Sequence, residues 1–173
     1  MKKDYLTMKW TLHFFETLES TNDTAKAYPI GSVIIADIQT GGKGRNGRMW
    51  QSPKGNLFLS AVLPDYGDLT PYLSFLAGVA VVEALPEWPL KLKWPNDVLL
   101  DGKKICGILL EREENKVIMG IGINVSTLPT GDFLYRVGCL KGALSLEKVR
   151  ERVLISLSEN LKEFEESGFA GIY

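Results

Sequence analysis

Residues 39–55 read QTGGKGRNGRMWQSPKG, a stretch with five glycines, four cationic side chains and no acidic one. A β-branched run, 32–38, precedes it and a second apolar run, 56–63, follows it, so both flanks are predicted to be strands. Glycine lets the backbone turn freely and approach a ligand closely, while Arg and Lys donate to carboxylate and phosphate groups. The stretch therefore predicts a strand–loop–strand unit that wraps a small anionic molecule.

The glycine loop matches the dinucleotide fingerprint G-x-G-x-x-G at Gly42, Gly44 and Gly47. That fingerprint requires a helix directly after the glycines, so that the helix N-terminus meets the pyrophosphate. Here Pro53, Gly55 and a β-rich run follow instead, which excludes a Rossmann site. A Walker A loop and a protein-kinase loop are excluded because their companion motifs are missing. A short Arg-Gly segment that binds RNA stays an alternative, although such segments are usually long and repetitive.

The 173 residues are predicted to form one α+β domain with a mixed or largely antiparallel sheet packed with helices. Ser20 is a predicted helix cap, and Asp101-Gly102 predicts a hairpin turn. Thr70-Pro71 predicts a cap and the first position of the second helix, and the alternation of apolar residues and Lys at 90–94 predicts a half-buried strand. The last helix is amphipathic and ends at Gly168. Strands are predicted at 10–15, 32–38, 56–63, 90–94, 98–100, 105–111 and 117–125, and helices at 20–27, 71–85 and 145–168.

The composition excludes several classes of function. A formal net charge of −1 argues against bulk nucleic-acid binding, which usually needs an excess of Lys and Arg. No apolar run is long enough to span a membrane, and no signal peptide is evident. Two cysteines are too few for a disulfide framework, and Cys106 is predicted to be a buried free thiol. We expect a cytoplasmic protein without nucleic-acid or membrane partners.

Two further segments carry polar groups at strand ends. If strands 98–100 and 105–111 pair, a lysine near their turn lies close to Asp97, and a cation beside a carboxylate often holds phosphate and Mg²⁺ together. A solvated turn lysine is the alternative. The segment Gly120–Val125 is a glycine-interrupted strand, which is typical of a bulge or of close approach by a ligand. Its Asn124 is either a recognition residue or an ordinary strand-end turn residue.

Short motifs along the chain together resemble those of the biotin protein ligase family. The resemblance covers residues 20 to 125, and the motifs occur in the family's order, which makes the combination highly specific although each motif alone is not. They are Ser20-Thr21-Asn22, the glycine loop Gly42–Arg48 with Trp50, Ser52–Leu57, Lys93–Asp97 (KWPND), Lys104–Leu109 and Gly120–Val125.

The resemblance implies the family's catalytic domain and its two-step reaction. The carboxylate of biotin attacks the α-phosphate of ATP, which gives biotinyl-5′-AMP and pyrophosphate. A lysine of a biotin carboxyl carrier protein, expected to be a carboxylase subunit, then attacks the acyl-adenylate. ATP and biotin are the implied substrates, Mg²⁺ is the implied metal, and a homodimer is possible.

The family's site residues carry over by position. Lys104, Arg45 and Asp97 are the implied catalytic set, and Asp97 would position Mg²⁺ or the attacking lysine. The implied biotin-binding set is Ser20, Thr21, Asn22, Gln39, Gly42, Lys43, Arg45, Lys104 and Gly107. The implied nucleotide-binding set is Lys43, Arg45, Arg48, Trp50 and Asn124.

The chain also departs from the family pattern. Lys43 and Asn46 stand where the family usually has Arg, and replacing Arg with Lys loses bidentate geometry. The family's small SH3-like C-terminal domain is not found before the chain ends at Tyr173, and no N-terminal helix-turn-helix is found either. We therefore expect residues 1–173 to be a single catalytic domain without repressor function, either a minimal ligase or a truncated one. A lipoate-type ligase of the same fold and a non-transferring biotin or adenylate sensor are the alternatives.

Overall fold

The computed structural model describes residues 9–131, 133–142 and 144–168. Their helices and strands follow the predicted order, with bounds that differ by a few residues. The strands are β1 (Thr11–Leu18), β2 (Ser32–Gln39), β3 (Leu57–Pro64), β4 (Leu90–Lys93), β5 (Asp97–Leu100), β6 (Lys103–Glu113) and β7 (Lys116–Ile123), and the helices are α1 (Thr21–Ala25), α2 (Leu73–Ala84) and α3 (Leu146–Ser167).

The seven strands form one mixed sheet in the order β1-β2-β3-β7-β6-β5-β4. β1 and β2 are parallel, because α1 crosses over between them, and every other neighbouring pair is antiparallel. The predicted fold class is therefore confirmed. The predicted hairpin is confirmed as well: β5 and β6 are joined by Asp101 and Gly102, whose φ angles of 50° and 72° lie in the left-handed region.

The two faces of the sheet have different roles. Successive side chains on a strand point to opposite faces, and the odd-numbered residues of β3 and β7 pack in the main core with α2 and α3. The predicted apolar stripe of α3 lies in that core, with Val149, Val153 and Leu157 fully buried. On the opposite face the short helix α1 packs against β2, β3 and β7. The part of that face that α1 does not cover is open to a ligand. Within the described residues, no helix has the length and apolar character needed to cross a lipid bilayer.

Two predicted elements need correction. The second helix was expected to begin at Pro71 with Thr70 as its cap, but Pro71 lies in a 3₁₀ turn over Gly67–Tyr72 and α2 begins at Leu73. The Thr70 hydroxyl instead donates to Asp65 Oδ1 at 2.6 Å, which stabilises the turn before the helix. The strand expected to be half-buried at 90–94 is mostly exposed, because β4 is the last strand at one edge of the sheet.

The Cys106 thiol should be chemically inert in the native protein. Its side chain is fully buried, and burial raises the pKa of the Cys106 thiol above its usual range, so almost no thiolate is present at pH 8. We expect iodoacetamide at pH 8 to leave Cys106 unmodified in native protein and to alkylate it fully in urea, as measured by peptide mass spectrometry. Rapid native labelling of Cys106 would contradict the burial of this residue.

Candidate active site

Bare backbone forms the floor of the site face. Gly107 of β6 and Gly122 of β7 are direct cross-strand partners, and Gly120 lies two residues from Gly122 on the same face. A Cβ atom built at Gly107 would lie 2.8 Å from the Trp50 ring, and one at Gly122 would lie 2.6 Å from Trp50 Nε1. A Cβ at Gly120 would collide with Asn22 Oδ1. The glycines are therefore required by the side chains that lie flat on them.

Two cavities lie above this floor, and Trp50 and Lys104 line both of them. Both cavities are open to solvent, and with the open space at their mouths included the larger holds about 470 Å³ and the smaller about 240 Å³. Eight of the nine residues predicted to bind biotin line the larger cavity, namely Ser20, Thr21, Asn22, Gln39, Lys43, Arg45, Lys104 and Gly107. These eight residues, which are spread over almost ninety positions of the chain, thus meet at one place.

Gln39 organises the polar end of the larger cavity. Its Oε1 accepts hydrogen bonds from the backbone N of Thr21 at 2.8 Å and from Thr21 Oγ1 at 3.0 Å. Its Nε2 donates to Ser52 Oγ at 2.9 Å. Gln39 therefore joins the start of α1 to the end of the glycine loop. Ser20 caps α1 by accepting from the backbone N of Asp23, so its predicted cap role is confirmed while it also lines the cavity.

Two further residues of this region were not predicted from the sequence. Ser60 is fully buried, and its Oγ lies 2.6 Å from Asn22 Oδ1 and 2.8 Å from Thr21 Oγ1. Glu111 Oε2 accepts from Asn22 Nδ2 at 2.7 Å. For Ser60 the sequence did contain a signal, because it is the single hydroxyl in the otherwise apolar strand sequence LFLSAVL. A buried polar side chain needs a hydrogen-bond partner, so this hydroxyl indicates a polar contact.

The glycine loop folds back on itself over the larger cavity. The backbone N of Gly44 donates to the Arg48 carbonyl at 2.7 Å, and the backbone N of Trp50 donates to the Gly42 carbonyl at 2.8 Å. A Cβ on Gly42 would lie 2.5 Å from the Trp50 carbonyl oxygen, so Gly42 is required for this close approach although it does not line the cavity. Asn46 has a φ of 57°, a conformation that Asn tolerates better than Arg, which accounts for the residue found there.

Side-chain contacts hold the loop down on two sides. Lys43 Nζ lies 2.6 Å from Asp23 Oδ2, and Arg45 Nη1 donates to Asn96 Oδ1 at 3.1 Å. Burial raises the pKa of Asp23, but hydrogen bonds from Lys43 and Lys26 outweigh it and lower the pKa below its usual value. The Asp23 carboxylate is therefore ionised at neutral pH, so it can pair with Lys43.

Lys104 stands where the two cavities meet. Its Nζ lies 2.7 Å from Asp97 Oδ1, which confirms the predicted proximity of a hairpin lysine to Asp97. The same ammonium lies 5.3 Å from the ring centroid of Trp50 and 4.8 Å from that of Tyr135, within the range of cation–π attraction. Only 12% of the Lys104 side chain is exposed, so its charge acts in a partly water-excluded site.

The predicted nucleotide residues are only partly brought together. Asn124 lines the smaller cavity with Trp50, and one N–H of its Nδ2 donates to the Gly138 carbonyl at 2.9 Å. Its buried Oδ1 has no partner within the described part of the chain and can act only as an acceptor. The side chain of Arg48 is exposed, and Arg48 lines neither of the two cavities.

The fold and this site define the class of the protein. A model of the biotin/lipoate A/B protein ligase family matches residues 12–127, which include most of the cavity-lining residues. The bifunctional ligase/repressor BirA of Bacillus subtilis is 37% identical over 93% of this chain, and a biotin–[acetyl-CoA-carboxylase] ligase of Paracoccus denitrificans is 43% identical over 56% of it.

Comparison with solved structures indicates the same family as these relatives do. A biotin protein ligase from Aquifex aeolicus, in complex with biotin and ATP, superposes with a TM-score of 0.85 at 36% identity, over 91% of this chain and 73% of that one. The chain therefore belongs to the biotin protein ligase family. It covers 57% of the Bacillus subtilis relative and 45% of the Paracoccus relative, so it spans about half the length of these curated proteins.

Replacing Gly122 with alanine should destabilise the protein. The new Cβ would lie 2.6 Å from Trp50 Nε1 and 2.7 Å from Trp50 Cε2, so the indole must move. We expect Gly122→Ala to lose about 1–3 kcal/mol of unfolding free energy in urea titrations, as overpacking usually costs. Gly44→Ala is the matched control, since its nearest contact would be an ordinary 3.4 Å. Equal stability of Gly122→Ala and the wild type would contradict the packing of Trp50 on Gly122.

Proposed function

We propose that this chain activates biotin with ATP as biotinyl-5′-AMP and transfers the biotinyl group to a lysine of a biotin carboxyl carrier protein. The observation that carries the proposal is the position of Lys104, a shielded ammonium shared by a larger polar cavity and a smaller aromatic one. The relative solved with biotin and ATP, and the relatives named as ligases of acetyl-CoA carboxylase, support these substrates.

In the proposed first step, biotin binds in the larger cavity with its carboxylate near Lys104, and the adenosine part of ATP lies against the smaller, aromatic cavity. One carboxylate oxygen forms a bond to the α-phosphorus, and the bond from that phosphorus to the αβ-bridging oxygen breaks, so pyrophosphate leaves. The two reactants are both anionic, so cations that hold them together remove the main obstacle. Lys104, Arg45 and Lys43 are the cations that line the larger cavity.

In the proposed second step, the neutral amine of the carrier lysine attacks the acyl carbon of the adenylate. The bond between the acyl carbon and the phosphate oxygen breaks, AMP leaves as the anion, and the amine nitrogen loses one proton to solvent as the amide forms. Lys104 stabilises the phosphate oxygens that carry the departing charge. Asp97 pairs with Lys104, and we assign it to holding that ammonium in place.

Mg²⁺ has no protein site of its own in this proposal. Asp97 is the candidate ligand, but its Oδ1 is paired with Lys104, and the described residues contain no cluster of three or more His, Cys, Asp or Glu side chains suited to a metal. Mg²⁺ commonly reaches such enzymes bound to substrate phosphates with few protein ligands. We therefore assign Mg²⁺ to the ATP phosphates rather than to Asp97.

The polar end of the larger cavity favours biotin over lipoate. Thr21, Asn22 and Gln39 present donors and acceptors there, and the cyclic urea of biotin can pair with such groups. The dithiolane ring of lipoate cannot, and unpaired buried polar groups reject an analogue that lacks the matching hydrogen bonds.

Two further predictions concern the protein as a whole. We expect a cytoplasmic location, which accords with the two free cysteines, and a homodimer.

The function is tested by supplying ATP and Mg²⁺ with either biotin or lipoate and measuring pyrophosphate. We expect pyrophosphate with biotin only, followed by a mass increase of one biotinyl group when a biotin carrier domain is added. Pyrophosphate with lipoate only would identify a lipoate-type ligase. Tightly held adenylate without any transfer to the carrier would identify a non-transferring binding protein instead.

Lys104→Ala should abolish most adenylate formation without unfolding the chain. The variant removes the ammonium shared by the two cavities, and loss of one such electrostatic contact typically costs about 100-fold or more in turnover. The rate of pyrophosphate release measures the effect, and thermal unfolding checks the fold. The exposed neighbour Lys103→Ala is the control and should keep wild-type turnover. Unchanged turnover in Lys104→Ala would remove Lys104 from the site.

A further inference from the structure

We infer that Glu111 is a positioning residue that fixes the amide of Asn22 for recognition of the cyclic urea of the substrate. The inference rests on the proposed biotin-dependent function and adds to it a residue that lies outside the cavity lining. Glu111 is near the end of β6, and its partner Asn22 is 89 residues away on α1. Asn22 lines the larger cavity, whereas Glu111 reaches the cavity only through Asn22.

The sheet holds the Asn22 side chain in one place. Gly120 of β7 lies beneath the amide and leaves room for it, because a Cβ there would collide with Oδ1. Ser60 is the cross-strand partner of Gly120 on β3, and it stands on one side of the amide. Glu111 of β6 stands on the other side. The amide of Asn22 is thus clamped between groups from two strands, and only 4% of the residue is exposed.

The partners determine which way the amide points. A carboxylate only accepts hydrogen bonds, so the group of Asn22 that faces Glu111 Oε2 at 2.7 Å is the NH₂ group. The Ser60 hydroxyl can then donate to Asn22 Oδ1 at 2.6 Å. A flipped amide would place its oxygen against the carboxylate, and the two acceptors would repel each other. Glu111 therefore makes one orientation of the amide strongly preferred.

This orientation matches a urea ligand. With one N–H of Nδ2 bound to Glu111, the second N–H of that NH₂ group is available to an acceptor in the cavity, such as the carbonyl oxygen of a cyclic urea. Without Glu111 the amide could turn over and present its oxygen to that carbonyl. Specificity for the urea would then weaken, because two acceptors would meet in a buried site.

The charge of Glu111 is balanced locally. Lys26 Nζ lies 3.6 Å from Glu111 Oε1 and 3.1 Å from Asp23 Oδ1, and Asp23 in turn holds Lys43 of the glycine loop. The groups that line the cavity do not have to balance the negative charge of Glu111, because the Lys26 ammonium supplies the opposite charge on the outer side. A carboxylate can therefore be kept beside the substrate pocket without repelling an anionic ligand strongly.

The test measures biotin affinity by calorimetry and the KM values for biotin and ATP in the full chain. We expect Glu111→Ala to weaken biotin binding and raise the KM for biotin by about tenfold, the usual effect of losing a hydrogen bond to a charged group. Glu111→Gln keeps an acceptor of the same size and should restore part of the affinity. The KM for ATP should not change in either variant, because Glu111 acts only on Asn22. A general loosening of the fold would instead raise the KM values for both biotin and ATP.

Glu114→Gln is the matched control, since it removes a negative charge from an exposed turn three residues away and should bind biotin as the wild type does. Wild-type biotin affinity in Glu111→Ala would overturn the assignment of Glu111 and leave the proposed function intact. An equal rise of the KM for ATP would also overturn it, as a purely structural effect. A wild-type protein that binds no biotin would overturn the proposed function, and the role of Glu111 with it.

Discussion

The close approach of Trp50 to the backbone of Gly107 and Gly122 is the constraint on which the rest of the site depends. Any side chain at either glycine would push the indole off the sheet. The indole forms a wall of both cavities and one face of the Lys104 environment, so its position sets the volume of each cavity and the place where they meet. Two missing side chains on neighbouring strands thus create a depression that a closely packed sheet would otherwise lack.

Each cation of the site contacts a polar or acidic side chain of the protein. Lys43 is paired with Asp23, Lys104 with Asp97, and Arg45 with the amide oxygen of Asn96. Without these partners, three positive charges around one cavity would repel each other and favour an open loop. An anionic ligand must replace or share these contacts, so part of its binding energy is used in exchange. Asn96 is a neutral partner, so Arg45 is the one of these three cations whose charge is not balanced by its contact.

The sequence was most informative where local geometry decides the outcome. The β5–β6 turn at Asp101-Gly102 predicted the hairpin in which Lys104 pairs with Leu99, two residues from Asp97, although an irregularity between Val98 and Leu99 shifts the register beyond that point. The strand predicted after the glycine loop is present as β3, so the loop is not followed by the helix that a dinucleotide fingerprint requires. Ser60 and Glu111 were missed, since their partners are 38 and 89 residues away and only the sheet order brings β3, β7 and β6 side by side beneath α1. Asn124 lines the smaller cavity, and its predicted contact with the nucleotide stays a prediction; the hydrogen bond from its Nδ2 to the Gly138 carbonyl is a contact that no local pattern reveals.

The short helix α1 links the floor of the site to its lid. Asn22 lies on the floor against Gly120, whereas Asp23, the next residue, holds Lys43 of the glycine loop. Five residues are too few to form a stable helix alone, so α1 depends on its Ser20 cap, on the sheet beneath it and on the Lys116 ammonium that binds the carbonyls of Lys26 and Tyr28. The residue that lies against the floor and the residue that holds the loop are therefore consecutive positions of one helical turn, so α1 fixes these two parts of the site relative to each other.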